Sequence, residues 1–322
     1  MKITTLAASI ALASALTGGS VRAADKITVR FGHFPNITHA QGVVAQAFNR
    51  QGKDWFEERL GPNVQVQWYT YNAGPSAMEA IFAGSLDLTY VGTGPALNAH
   101  FKSQGSEIRV ISGAANGGAA LVTKNDSIKT AEDFRGKRIA TPQMGNTQDI
   151  ACRAWLKQNG FRVTQTGGDV LVVPTENPDQ LAALQGGNVD AVWTVEPWVT
   201  RLEKEGNAKV FLEDSDCITT WLVSSVKFLK EHPDLVKKVA AANKELTQWI
   251  NSHPAEAEKM IIDELKAETK TQVVPDTVRR SLKRIRLTNE VEPRLVEKAV
   301  KDGQSTGFFK GSTDTSHLLE IQ

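Results

Sequence analysis

The chain has 322 residues, a formal net charge of +1 and 41% hydrophobic residues. The balanced charge excludes the basic stripe of a nucleic-acid binder, and the length and composition fit a soluble globular protein of about two domains. The two cysteines, Cys152 and Cys217, lie far apart, and no CxxC or Cys/His grouping accompanies them, so two free buried thiols are expected and a metal or other cofactor is not.

In chain order, residues 1–23 read as an export signal. Lys2 opens a short positive start, Thr4 to Leu16 is an apolar, Ala-rich run, and Val21-Arg22-Ala23 offers small residues at the −3 and −1 positions of a cleavage site. The mature chain is expected to begin near Ala24, exported by Sec because no Arg-Arg pair precedes the run. No Cys follows to carry a lipid, and no later stretch approaches the ~20 apolar residues of a membrane span.

From Ile27 the pattern alternates. "ITVRFG", "VQVQWYTY", "LDLTYVG" and "IRVISGAA" read as strands, separated by helix-like segments beginning "THAQGVV", "GPSAMEA" and "GPALNAH". A second set follows Gly117-Gly118: strands "AALVTK", "KRIATP", "VLVVP", "VDAVWT" and "KVFLE", with helices "NTQDIACRAWLKQ", "NPDQLAALQ" and "EPWVTRLEKE". "TTWLVSS" then opens a long helical tail whose longest element is "FLKEHPDLVKKVAAANKELTQWINS". Such alternation predicts an α/β protein with mainly parallel sheets covered by helices. Two successive domains would fit, and so would two lobes joined by a double crossover, with "SGAANGGAAL" and "EDSDCITTW" as the crossing segments.

Ligands of open α/β sheets bind beyond the carboxyl ends of the strands. Four turns there carry small polar residues: Asn36 and Thr38 after the first strand, Asn72 and Gly74 after the second, Gly92, Thr93 and Gly94 after the third, and Asn146, Thr147 and Gln148 in the second set. Asn36 and Thr38 are helix N-cap types, and any one such turn is ordinarily structural. Together they point to a small polar or anionic ligand held at helix starts. His33 and His39 lack the spacing and third partner of a metal site, and Trp193, Glu196 and Trp198 cluster at another strand end. Among catalytic patterns there is no GxSxG, no Walker A and no HExxH.

The blocks "FPNITHAQ", "NAGPSAMEAIFAGSLDLTYVGTGPALNA", "GGAALVTK", "PQMGNTQD" and "VDAVWTVEPWVTRL", in this order, resemble the nitrate/sulfonate/taurine family of periplasmic substrate-binding proteins of ABC importers. The resemblance implies a type II-like, two-lobed α/β fold with the double crossover, lobe I spanning 24–114 and 219–322 and lobe II 115–218. It implies a cleft lined by the first turn (His33, Phe34, Asn36, His39), with Pro35 stiffening it. Asn72, Gly74, Gly92, Thr93, Gly94, Gly117, Gly118, Asn146, Thr147, Gln148, Trp193 and Glu196 complete the cleft. It further implies a monomeric, periplasmic, non-enzymatic protein that delivers a small anion, such as an alkanesulfonate or taurine, to a membrane permease. Nitrate, bicarbonate and thiamine-precursor pyrimidines are other ligands of the family. None of these cleft positions is Lys or Arg, so neutral donors would hold the anion. An iron- and histidine-using pyrimidine-precursor synthase on the same fold is the alternative. It would need a Cys-rich block, which two distant cysteines do not make.

Overall fold

The computed structural model describes residues 26–320, and the expected export signal lies outside the described residues. The first layer opens with β1 (Ile27–His33), α1 (Ala40–Arg50), α2 (Trp55–Leu60), β2 (Val64–Thr70), α3 (Gly74–Phe82), β3 (Leu88–Val91), α4 (Thr93–Lys102) and β4 (Ile108–Gly117). The second comprises β5 (Ala119–Thr123), β6 (Arg138–Thr141), α5 (Thr147–Gln158), β7 (Leu171–Pro174), α6 (Gln180–Gln185), β8 (Ala191–Val195), α7 (Trp198–Glu205) and β9 (Lys209–Asp214). The chain then returns through β10 (Ile218–Ser225), α8 (Val226–Glu231), α9 (Pro233–Ser252), α10 (Pro254–Thr269), α11 (Pro275–Arg284), β11 (Ile285–Leu287) and α12 (Pro293–Thr306).

Two sheets result. The six-stranded one has the order β11-β4-β10-β3-β1-β2 and the five-stranded one β7-β6-β8-β5-β9. Each joins a parallel half, β2-β1-β3 or β7-β6-β8, to antiparallel strands at the crossovers. The chain changes sheet between Gly117 and Ala119 and returns between Asp214 and Ile218. The left-handed φ values of Gly117 and Gly118, +72° and +74°, suit the first crossing.

Three sequence expectations are corrected. The sheets are mixed rather than mainly parallel, with four parallel and five antiparallel strand pairings among the described residues. "TTWLVSS" is not the start of a helix but most of β10, central in the larger sheet and buried along its whole length. Its β-branched and aromatic residues fit a strand covered on both faces. The long helix divides at Pro233 into α8 and α9, because proline lacks the N–H that would continue the hydrogen-bond ladder.

Phe31, Tyr90, Ala114 and Leu222 meet α1, α2, α9 and α10 in one core, while Val91, Val110, Trp221 and Val223 meet α3, α4 and α12 on the other face. The smaller sheet has its own cores around Phe134, Leu156 and Trp193 and around Val192, Val199 and Leu202. The tail touches both layers: α12 packs on α4 and α5, and α11 packs on α7. No helix among the described residues is long and apolar enough to cross a membrane.

Candidate ligand-binding cleft

The parallel strands of both sheets end at one space between the layers. Phe34, Asn36, Thr38 and His39 follow β1, Asn72 and Gly74 follow β2, and Gly92 follows β3. From the other layer come Pro142 and Asn146 after β6, Asn177 after β7, and Val195 at the end of β8. With Pro95, Thr147, Gln148 and Thr219 they line a narrow cavity of about 30 Å³. The first turns of α3, α4 and α5 begin at Gly74, Thr93 and Thr147, so unpaired backbone N–H groups and the positive ends of helix dipoles collect around it.

The layers touch directly across the cleft. Thr147 Oγ1 accepts the backbone N–H of Gly94 at 3.1 Å, joining the starts of α4 and α5. A Cβ on Gly92 would lie 2.2 Å from that same oxygen, so a glycine here is what lets the helices approach. Trp198 Nε1 donates to Asn36 Oδ1 at 3.0 Å, joining α7 to the turn after β1. Asn36 therefore spends its side chain on the opposite layer and does not cap the helix it precedes, whereas Asn146 does cap, accepting Asp149 N at 2.8 Å.

No lysine, arginine, aspartate or glutamate lines the cavity. His39 stacks on Phe34, with ring centroids 4.3 Å apart, and its Nδ1 accepts the Phe34 N–H at 3.4 Å. Burial, with a smaller push from nearby His33, holds His39 well below the ordinary imidazole range, so it is neutral and carries its proton on Nε2. The site offers neutral donors, and a ligand enclosed among them would be held by hydrogen bonds strengthened by the exclusion of water.

Of the positions expected from sequence, Phe34, Asn36, His39, Asn72, Gly74, Gly92, Asn146, Thr147 and Gln148 line this space. Thr93 and Gly94 border the neighbouring cavity, where Cys217, Asp214 and Lys298 also lie, and the Thr93 hydroxyl donates to Ile218 O at 3.3 Å. Five expectations are corrected. His33 is fully buried behind the strand, its Nε2 2.9 Å from Glu268 Oε1 on α10. Gly117 and Gly118 serve the crossing: a Cβ on Gly117 would meet Arg284 O at 2.8 Å and one on Gly118 would meet Ile285 Cγ1 at 2.6 Å. Trp193 points into the smaller sheet's core against Trp155, because strand alternation sends it to the face opposite its neighbours Val192 and Thr194. Glu196 is fully buried in a cluster with Thr200, Ser281 and Arg284.

Sequence reasoning missed Pro95, Pro142, Asn177, Val195 and Thr219. Asn177 carried a readable signal, a polar residue and a proline between a strand and a helix, as in the first turn. Thr219 did not, because its position depends on β10 being a strand.

Residues 22–263 match the NMT1-like family. The taurine-binding periplasmic protein of Escherichia coli (strain K12) is 29% identical over 213 residues, 64% of this chain. That match spans 63% of the relative's length. The structure superposes on the alkanesulfonate-binding protein SsuA from Xanthomonas axonopodis pv. citri bound to MOPS with a TM-score of 0.72, at 18% identity, covering 93% of this chain and 99% of that one. It superposes on the periplasmic nitrate-binding protein NrtA from Synechocystis PCC 6803 with a TM-score of 0.71, at 14% identity, covering 90% and 84%. These similarities show the two-sheet fold of such binding proteins, and with three quarters of its length matched the chain belongs to the NMT1-like family.

Proposed function

We propose that this chain is the exported, monomeric solute-binding component of an ABC import system, closing two lobes on a small anion such as an alkanesulfonate or taurine and presenting the closed form to a membrane permease. The observation that carries the reading is the convergence of strand ends and helix starts from both sheets on one uncharged cavity. The similar proteins that bind taurine and alkanesulfonates support the ligand class. The lobes are the two sheets with their helices, dividing near the crossovers at 117–119 and 214–218.

Each lobe supplies part of the donor set, so only the closed arrangement satisfies a ligand completely. Ligand then favours closure by its differential contacts with the two states. Similar proteins named as taurine- and aliphatic sulfonate-binding proteins support a role in capture.

A flat, uncharged heterocycle such as a thiamine-precursor pyrimidine is the second reading, favoured by the Phe34–His39 stack beside a cavity without cations. Thermal-shift measurements with alkanesulfonates, taurine, nitrate, bicarbonate and a pyrimidine separate the two, because a ligand of the native state raises the melting temperature by mass action. Stabilisation by sulfonates supports the first reading, and stabilisation by the pyrimidine alone overturns it.

A further inference from the structure

Asn177 stands in the turn between β7 and α6, is 8% exposed and lines the cleft. Its side-chain oxygen takes two hydrogen bonds from behind, from Gln180 Nε2 at 3.2 Å and from the Thr194 hydroxyl at 3.2 Å. The neighbours fix which way the amide faces. Gln180 Nε2 lies 3.1 Å from Thr175 O, a carbonyl that can only accept, so the Gln180 atom is the nitrogen and the Asn177 atom beside it is the oxygen. The Thr194 hydroxyl, meeting that same oxygen, is then a donor. An amide oxygen has two lone pairs, and both are used, so Asn177 cannot turn over without setting its NH2 against the Gln180 NH2. Gln180 and Thr194 are 1% and 0% exposed, and neither lines the cleft.

We propose, resting on the anion-capture reading above, that Thr194 and Gln180 are positioning residues for binding: they touch no ligand but hold Asn177 with its amide hydrogens toward the cleft. Sheet order explains why two residues are needed. β7 and β8 are not neighbours, because β6 lies between them. The turn after β7 is tied to the end of β6 where Thr175 N donates to Thr141 O at 2.7 Å. Asn177 then reaches past β6 to Thr194 on β8, which stands on the strand face opposite Trp193. Gln180, at the start of α6, holds the same oxygen from within the turn's own segment. One bond therefore fixes the turn across the sheet and the other fixes it to the helix that follows. With either donor gone, the amide gains freedom to rotate its oxygen toward the cleft, where it would repel an anion that its hydrogens would otherwise bind.

Calorimetric titration with methanesulfonate tests this in a double-mutant cycle. Thr194→Val removes the hydroxyl at nearly constant shape, and Asn177→Ala removes the amide on which it acts. Thr194→Val should weaken binding about 2- to 10-fold. Thr194→Ser, which keeps the hydroxyl, should bind as the unchanged chain does. Thr194→Val added to Asn177→Ala should change affinity by less than about twofold, because nothing is left to position. Gln180→Met, which removes the other donor, should show the same dependence on Asn177, and it carries the test if Thr194→Val does not fold. Losses of equal size with and without the Asn177 amide, or no loss from either variant, overturn the positioning role while leaving anion capture standing. No binding of methanesulfonate by the unchanged chain overturns the reading on which this inference rests, and the inference with it.

Discussion

Arg284 Nη1, on α11, donates to Glu196 Oε1 at 2.9 Å, tying the C-terminal tail to the end of β8 in the smaller sheet. The same guanidinium bonds both carboxylate oxygens of Glu203 at 2.9 and 3.2 Å. Glu196 is fully buried and also accepts from Thr200 N, Thr200 Oγ1 and Ser281 Oγ at 2.9–3.1 Å. The two neighbouring carboxylates raise the Arg284 pKa against the opposing effect of burial, keeping the guanidinium charged. Removing one partner leaves the other charge buried and unpaired. Arg284→Ala should therefore cost roughly 3–5 kcal/mol of folding stability, read by denaturant unfolding. A cost no larger than that of an exposed ion pair would remove this cluster from the structural account.

Trp193 and Trp198, five residues apart, should separate cleanly. Trp193 is buried in the smaller sheet's core, so Trp193→Ala should cost about 3–5 kcal/mol of stability while the folded fraction binds ligand as before. Trp198 is only partly buried and bonds Asn36 across the cleft, so Trp198→Ala should cost less stability and more affinity. Melts and titrations of both variants read the difference. The reverse pattern would place Trp193 against the ligand.

His39 supplies a pH dependence. Its folded pKa is lowered by burial, so in acid the unfolded chain binds a proton that the native chain refuses. The contribution to stability is complete above the ordinary imidazole value near pH 6.5 and is lost as pH falls below it. Unfolding free energies between about pH 7.5 and pH 5 should fall more steeply with acid in the unchanged chain than in His39→Gln. Parallel slopes would show that the imidazole already carries charge in the folded state.

Cys152 and Cys217 are both free. Burial pushes each thiol well above its usual range, and Cys217 Sγ donates to Asp214 O at 3.0 Å. A thiolate is the reactive form, so alkylation should be slow in the native protein and complete once it is unfolded. An intact mass two hydrogens lighter, with no labelling after unfolding, would instead reveal a disulfide.

The alternation of strands and helices was legible because it depends on local signals: hydrophobic period, helix starts, and glycine or proline beside strand ends. The choice of a double crossover over two successive domains rested on the family resemblance. β10 was not. A strand buried on both faces reads as a continuous apolar run, and "TTWLVSS" runs directly into a helix without a turn signal. Trp193 was expected in the cleft because residue spacing shows that it and Trp198 differ in direction but not which direction is the core. Glu196 looked like a ligand group because its partner Arg284 is 88 positions away, beyond any periodicity. Likewise His33 in the first turn gave no sign of Glu268 on α10.

The central claim is that ligand is held between layers that must meet. Its most direct measurement is calorimetric titration of an alkanesulfonate into the unchanged chain and into Gly92→Val. Gly92 has an ordinary φ of −69°, so valine costs the backbone little, but its Cβ would fall 2.2 Å from Thr147 Oγ1 on the opposite layer and wedge the cleft open. One-to-one binding by the unchanged chain, with at least about a tenfold loss in Gly92→Val at little change in melting temperature, is the predicted result. Equal binding by the two proteins, or none by the unchanged chain, would contradict the account.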